Sequence, residues 1–273
     1  MRLGPRSALV LGLASLTGLL MFVWPLLLRP DPAVLAAGGQ VAPPFVFLLL
    51  LPVVVLVVVA ELTESGMDSK ALAMLGVLTA VNAALRPLGG GLAGVELVFF
   101  LLVLAGRVFG PAFGFVLGCT SLFASALLTS GVGPWLPYQM LVSAWIGLGA
   151  GLLPRAWRGR ALTGRAETAL LVAYGIVCAY GFGLLMNLSS WPYSLGIAVP
   201  GHEGSLAYVA GGPLMENVHR FLVYTALTST GGWDTGRAIT NTLALVVLGP
   251  AVLATLRRAA RRAAYVPAGR SDP

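Results

Sequence analysis

Charge is scarce in this chain. Only 10% of its 273 residues are Asp, Glu, Lys or Arg, against about 25% in a soluble domain. With 58% hydrophobic residues beside it, that shortage excludes an ordinary water-soluble globule. Cysteine is scarcer still. Cys119 and Cys178 are the only two, and both lie in apolar stretches with no C-x-x-C pattern. This excludes a disulfide framework and a haem attachment site, and both read as small buried hydrophobes. Two histidines, His202 and His219, form no H-E-x-x-H pattern. There is no G-x-S-x-G, no aspartate-rich diphosphate motif and no Walker A loop. No span carries two carboxylates three or four residues apart. His202, Glu203, Glu216, His219 and Asp234 share the non-membrane segments, but nothing in their spacing favours a hydrolase or a metal site. The expectation is a chain without enzymatic activity, cofactor or metal.

The net charge of +7 and pI near 10 do not indicate a nucleic-acid partner, because the cations sit in short loops and tails beside apolar runs. Eight such runs approach the length that spans a bilayer: 7–28, 44–61, 70–86, 94–107, 111–130, 137–154, 166–188 and 236–256. The first is too long for a signal-peptide core and ends at Arg29-Pro30 without a cleavage site, so it reads as an anchor. Cytoplasmic termini put 13 of the 17 Lys and Arg inside and leave Arg29, Arg86, Arg220 and Arg237 at the outer side. This predicts a multi-pass protein of the cell membrane with both termini cytoplasmic. Residues 44–60 form a Val/Leu run suited to lipid contact. The acidic loop 61–68 then separates the first two spans (residues 1–68) from a core over 69–262 and a cytoplasmic tail, 263–273. Trp24, Trp157 and Tyr265 read as interfacial aromatics, and Trp145 as packing within its helix.

The stretch 106–139 organises the core. Gly106, Gly110, Gly114 and Gly118 fall four apart, and Pro111 marks a helix start. Gly114, Gly118, Ser121 and Ser125 share a helical face that lets another backbone approach closely in lipid. The turn Gly133-Pro-Trp-Leu-Pro-Tyr-Gln139 leads into the next helix. The third run has Gly76, Ala80 and Ala84 in small-xxx-small register, then Asn82 and Arg86 near its outer end. Polar groups within a membrane helix face protein or water more often than lipid. Glu96 is the carboxylate placed to meet Arg86, as a structural pair or within a ligand site. Residues 189–235 form a long outer segment, with a short amphipathic helix over 214–229 and Thr235 a candidate N-cap. Loops of this length commonly serve as lids, and Phe221, Leu222 and Tyr224 are available to cover a cavity mouth.

Taken in order, several features of residues 69–262 carry a family resemblance. They are the Gly76/Ala80/Ala84 helix followed by Arg86, the glycine-spaced 106–118 stretch, the 133–139 turn, and Trp233-Asp234 through Arg237 to Asn241 before a helix ending in Arg257-Arg258. Together they resemble the S component of energy-coupling-factor (ECF) transporters, nearest to the cobalamin-type branch and to actinobacterial members of unassigned substrate. The resemblance implies an all-α polytopic membrane protein, with a six-helix S-component-like core plus two N-terminal transmembrane helices that the family usually lacks. It implies a substrate-binding subunit that captures a vitamin or similar micronutrient, cobalamin-like by this branch, and delivers it after docking on a T component and two ABC ATPases. The residues expected to hold substrate are Asn82, Arg86, Glu96, Trp135, Gln139, Asn187 and Trp191. Gly76, Ala80 and Ala84 are expected to touch the T component, where the family has two alanines four apart. The competing reading is a membrane-embedded enzyme with its site under the outer lid.

Overall fold

A computed structural model describes residues 5–27, 56, 57, 60, 69–89, 94–133, 135–193, 205–209 and 211–264, and these are helical almost throughout. The run expected at 44–61 lies mostly outside the described residues, as do the acidic loop 61–68, His202, Glu203 and the tail from 265. The helices are α1 (Pro5–Leu27), α2 (Ser69–Leu85), α3 (Val98–Phe109), α4 (Pro111–Leu128), α5 (Leu136–Leu152), α6 (Arg165–Ser190), α7 (Leu214–Thr225), α8 (Thr235–Val247) and α9 (Gly249–Ala264). A π-helical segment, Ala226–Asp234, joins α7 to α8. A two-residue turn at Arg158-Gly159 closes a small hairpin, β1 (Ala156–Trp157) with β2 (Arg160–Ala161). Both turn residues have positive φ, as a type I′ turn requires.

Ser69–Gly89, Pro111–Leu128 and Arg165–Ser190 are each long and apolar enough to cross a membrane. A fourth span results if the bent run from Leu214 to Arg262 is counted as one. The described residues are mostly helical, with three or four helices fit to span a membrane, consistent with an all-α membrane protein. The runs expected at 7–28, 70–86, 94–107, 111–130, 137–154 and 166–188 are α1 to α6. The last one, expected at 236–256, is broken: α8 and α9 meet at a bend of 65°. Pro250 has no N–H for the carbonyl of Val246, and its ring crowds that carbonyl, so the helix turns there.

The core is built by backbone proximity. α4 starts at Pro111 because Gly110 takes φ 101°, ψ 175°, a conformation open essentially to glycine alone. A side chain at Gly114 would meet the backbone of Gly147, one at Gly147 would meet that of Gly114, and one at Gly118 would meet Ser143 and Ala144. α4 and α5 therefore touch main chain to main chain, the close approach that small residues permit in lipid. Ser121 turns instead toward α2, where its hydroxyl accepts from Asn82 Nδ2 at 2.9 Å, and Thr79 bonds Thr120 at 2.9 Å along the same seam. α3 is apolar except for Arg107 and is buried on every residue but Val108, as a helix hydrophobic nearly all round must be. α1 covers α5: Trp145 Nε1–H donates to Ser15 at 2.8 Å, and Phe22 stacks edge-on against Tyr138. Cys119 and Cys178 are free thiols.

The bundle's two ends differ. At the one formed by the C-terminus of α3 and the N-terminus of α6, buried Arg107 pairs with buried Glu167 at 2.8 Å. Arg107 also donates to the carbonyls of Leu153 and Pro154, and Arg257 of α9 closes on both oxygens of Glu167. The opposite end holds a cavity.

Candidate functional site

That cavity measures about 340 Å³ and opens where α2, α5 and α6 meet the π segment. Arg86, one residue beyond α2, donates from Nη2 to Gln139 Oε1 on the first turn of α5 at 2.8 Å. Glu96, ahead of α3, does not take up Arg86. It accepts instead from Arg237 Nε at 2.7 Å, and its backbone carbonyl accepts from Asn241. Arg237 also donates to Asp234 at 2.9 Å, while the other oxygen of Asp234 accepts from Ser229. The Arg237 guanidinium lies 4.8 Å from the Phe182 ring centre and 5.7 Å from that of Phe99, a cation–π clamp. Two arginines and two carboxylates thus line one small space with no net charge. Both carboxylates are held by Arg237, which leaves Arg86 as the lining cation bound only by an amide.

The π segment makes this arrangement possible. Its wide turns carry Thr228, Ser229, Trp233 and Asp234 to the lining, in a helix form that recurs at functional sites. Thr235, expected to cap a new helix, lies inside this continuous run and bonds the carbonyl of Thr230 five residues back. Gly183 of α6 leaves room for Asp234, since a methyl group there would sit on the carboxylate.

Three buried lining atoms have no partner among the described residues: Arg86 Nη1, Asn187 Nδ2 and Ser143 Oγ. Ser143 is fully buried. An unmet buried polar group costs about 1–3 kcal/mol, so the cavity is prepared for something that offers acceptors. A carboxylate, a phosphate or a carbonyl-rich ring meets that need.

Of the seven residues expected from the sequence, Arg86, Glu96, Gln139 and Asn187 come together here. Asn82 lies in the α2–α4 seam. Trp135 stands half exposed at the start of α5, folded over Gly133. Trp191 is fully buried and donates to the carbonyl of Leu206 at 2.8 Å. Its ring packs against Tyr208 and Phe221, and burial in this cluster pushes the Tyr208 phenol up from its ordinary value. Neither tryptophan lines the cavity. Of the three side chains expected over its mouth, Tyr224 lines it, Phe221 is committed to Trp191, and Leu222 is exposed. Residues 194–204 of the expected lid lie outside the described residues. Ser143, Ser229, Asp234 and Arg237 complete the site without having been expected in it. Ser143 is a lone hydroxyl in an apolar helix and gives no periodic signal, whereas Arg237 shows itself only as a charge opposite Glu96. Among the described residues no cluster of His, Cys, Asp and Glu has a metal-holding arrangement, and neither histidine nor cysteine lines the cavity.

No protein-family model, no curated protein and no solved structure matches the chain.

Proposed function

We propose that this chain is the substrate-binding membrane subunit of an ECF-type importer. It captures a small micronutrient and releases it inside after docking on a T component that carries two cytoplasmic ATPases. The observation that carries this reading is the cavity with its three unpartnered polar atoms and its charges already balanced. Such a space binds. The residues around it supply no free base and no activated nucleophile, because Glu96 and Asp234 are both tied to Arg237. A volume of about 340 Å³ sits at the low end of small-molecule sites. It favours a compact, anionic or carbonyl-rich vitamin over a corrin macrocycle. The sequence has no nucleotide loop, so uphill uptake draws energy from other subunits. Gly76, Ala80 and Ala84 support that partnership: all three are exposed on α2, with open space around Gly76, which leaves a smooth face for another helix.

The test starts with mass spectrometry of the small molecule that co-purifies with the chain, followed by titration of that compound. Arg86→Ala should weaken binding about tenfold to a hundredfold, the range for a hydrogen bond to a charged group, with no turnover in either protein. Ala80→Leu should keep binding and lose uptake in cells. Turnover of the compound, or uptake undiminished in cells without any T component, overturns the proposal.

A further inference from the structure

At the end of the bundle remote from the cavity, a second concavity of about 760 Å³ lies between the start of α2 and the last turns of α9. Lys70, Arg258 and Arg262 line it with the hydroxyl of Thr255, over Met74. Among the described residues no carboxylate lines it or pairs with these three cations. Arg107 and Arg257 nearby are both tied to Glu167, whereas Lys70, Arg258 and Arg262 converge on this one groove.

The helices flanking the groove point to its occupant. Lys70, Met74, Val77 and Val81 stack on one face of α2, at spacings of four, three and four, and Val77 and Val81 are exposed. A cation therefore sits at the foot of an open apolar strip in a helix of membrane-spanning character. α9 turns away from α8 by 65°, buries Leu253 and Leu256 against the bundle and leaves Arg258 and Arg262 outside. A basic amphipathic helix bent off a span lies naturally along a membrane surface.

We infer that this groove binds the headgroup of an anionic phospholipid, with the phosphate between Lys70, Arg258 and Arg262 and an acyl chain along Met74, Val77 and Val81. A basic pocket between helices at the membrane surface has this chemistry. A water-soluble phosphate would use the cations and leave the apolar strip bare, whereas a phospholipid uses both.

The full chain is placed in nanodiscs containing equal phosphatidylglycerol and phosphatidylcholine, released, and weighed by native mass spectrometry with its retained lipid. Phosphatidylglycerol should be retained preferentially. Lys70→Ala should lower its retention about fivefold, and Arg258→Ala with Arg262→Ala by more, as expected for loss of basic residues beside an anionic surface. Arg220→Ala, remote from the groove and paired with Glu216, should change nothing. Equal retention of the two lipids overturns the inference, as does wild-type retention in Lys70→Ala. Displacement of the lipid by excess inorganic phosphate does so too, since it marks a free-phosphate site. If the double variant fails to fold, Lys70→Ala on the other helix decides.

Discussion

Two buried charge arrangements anchor the ends of this bundle, and each hinges on a single atom's worth of space or charge. In α6, Gly183 faces Asp234 where Gly181, half a turn away, faces open space. Gly183→Ala should therefore push the carboxylate away and loosen its hold on Arg237, at about the 1–3 kcal/mol typical of overpacking. Gly181→Ala should be neutral, and thermal unfolding in detergent separates the two. At the other end, Glu167 balances Arg107 inside the protein. Glu167→Gln leaves the buried guanidinium without a counter-charge, a loss of about 3–5 kcal/mol when one partner of a buried pair is removed. Arg107→Gln with Glu167→Gln should recover part of that loss, because no buried lone charge then remains; Arg257, the other partner of Glu167, is partly exposed to solvent. If the single and double variants unfold at the same temperature, the pair contributes nothing beyond its hydrogen bonds.

Among the elements, α4 and α5 depend on what they lack. Their contact is glycine against glycine at 114 and 147. Gly147→Leu should abolish the monodisperse folded protein on size-exclusion chromatography. Gly76→Leu, on the open face of α2, should leave it intact. Equal yields from both would mean the helices can part without cost. The glycine spacing and Pro111 made this pair readable from sequence, because small-residue stripes and helix starts are local signals. The bend before α9 was less so. Pro250 stands in the sequence, but the residues on either side of it, 243–254, are all apolar, and hydropathy alone cannot tell a kinked helix from a straight one.

Across the molecule, what could be read ahead of the structure follows how local its cause is. Arg86, Gln139 and Asn187 stood out because a polar side chain in an apolar helix is conspicuous, and Glu96 because it follows closely on Arg86. Trp135 and Trp191 were expected in the site for their residue type, yet an indole fills a core as readily as it covers a ligand, and the ring of Trp191 does the former. The partner of Glu96 is set by a contact 141 residues away in sequence, and no spacing announces it. The wide turns of 226–234 follow neither a period of 3.6 nor of 2, so the lining set Thr228, Ser229, Trp233 and Asp234 was hidden. The glycine contact between α4 and α5 also divides the cavity into unlike halves. An interface made of main chain has no rotamers to rearrange, so Leu122, Gln139 and Ser143 stand on an anvil of fixed shape. Facing them is a more adjustable jaw, the stretch 224–234 with glycines at 231 and 232, and a change in cavity volume is expected first from that side. Amide exchange should be slowest in α4 and α5 and fastest, among cavity-lining backbone, at 226–234. A chain built this way would acquire a new ligand by altering its jaw, while the anvil kept the feature common to all of them.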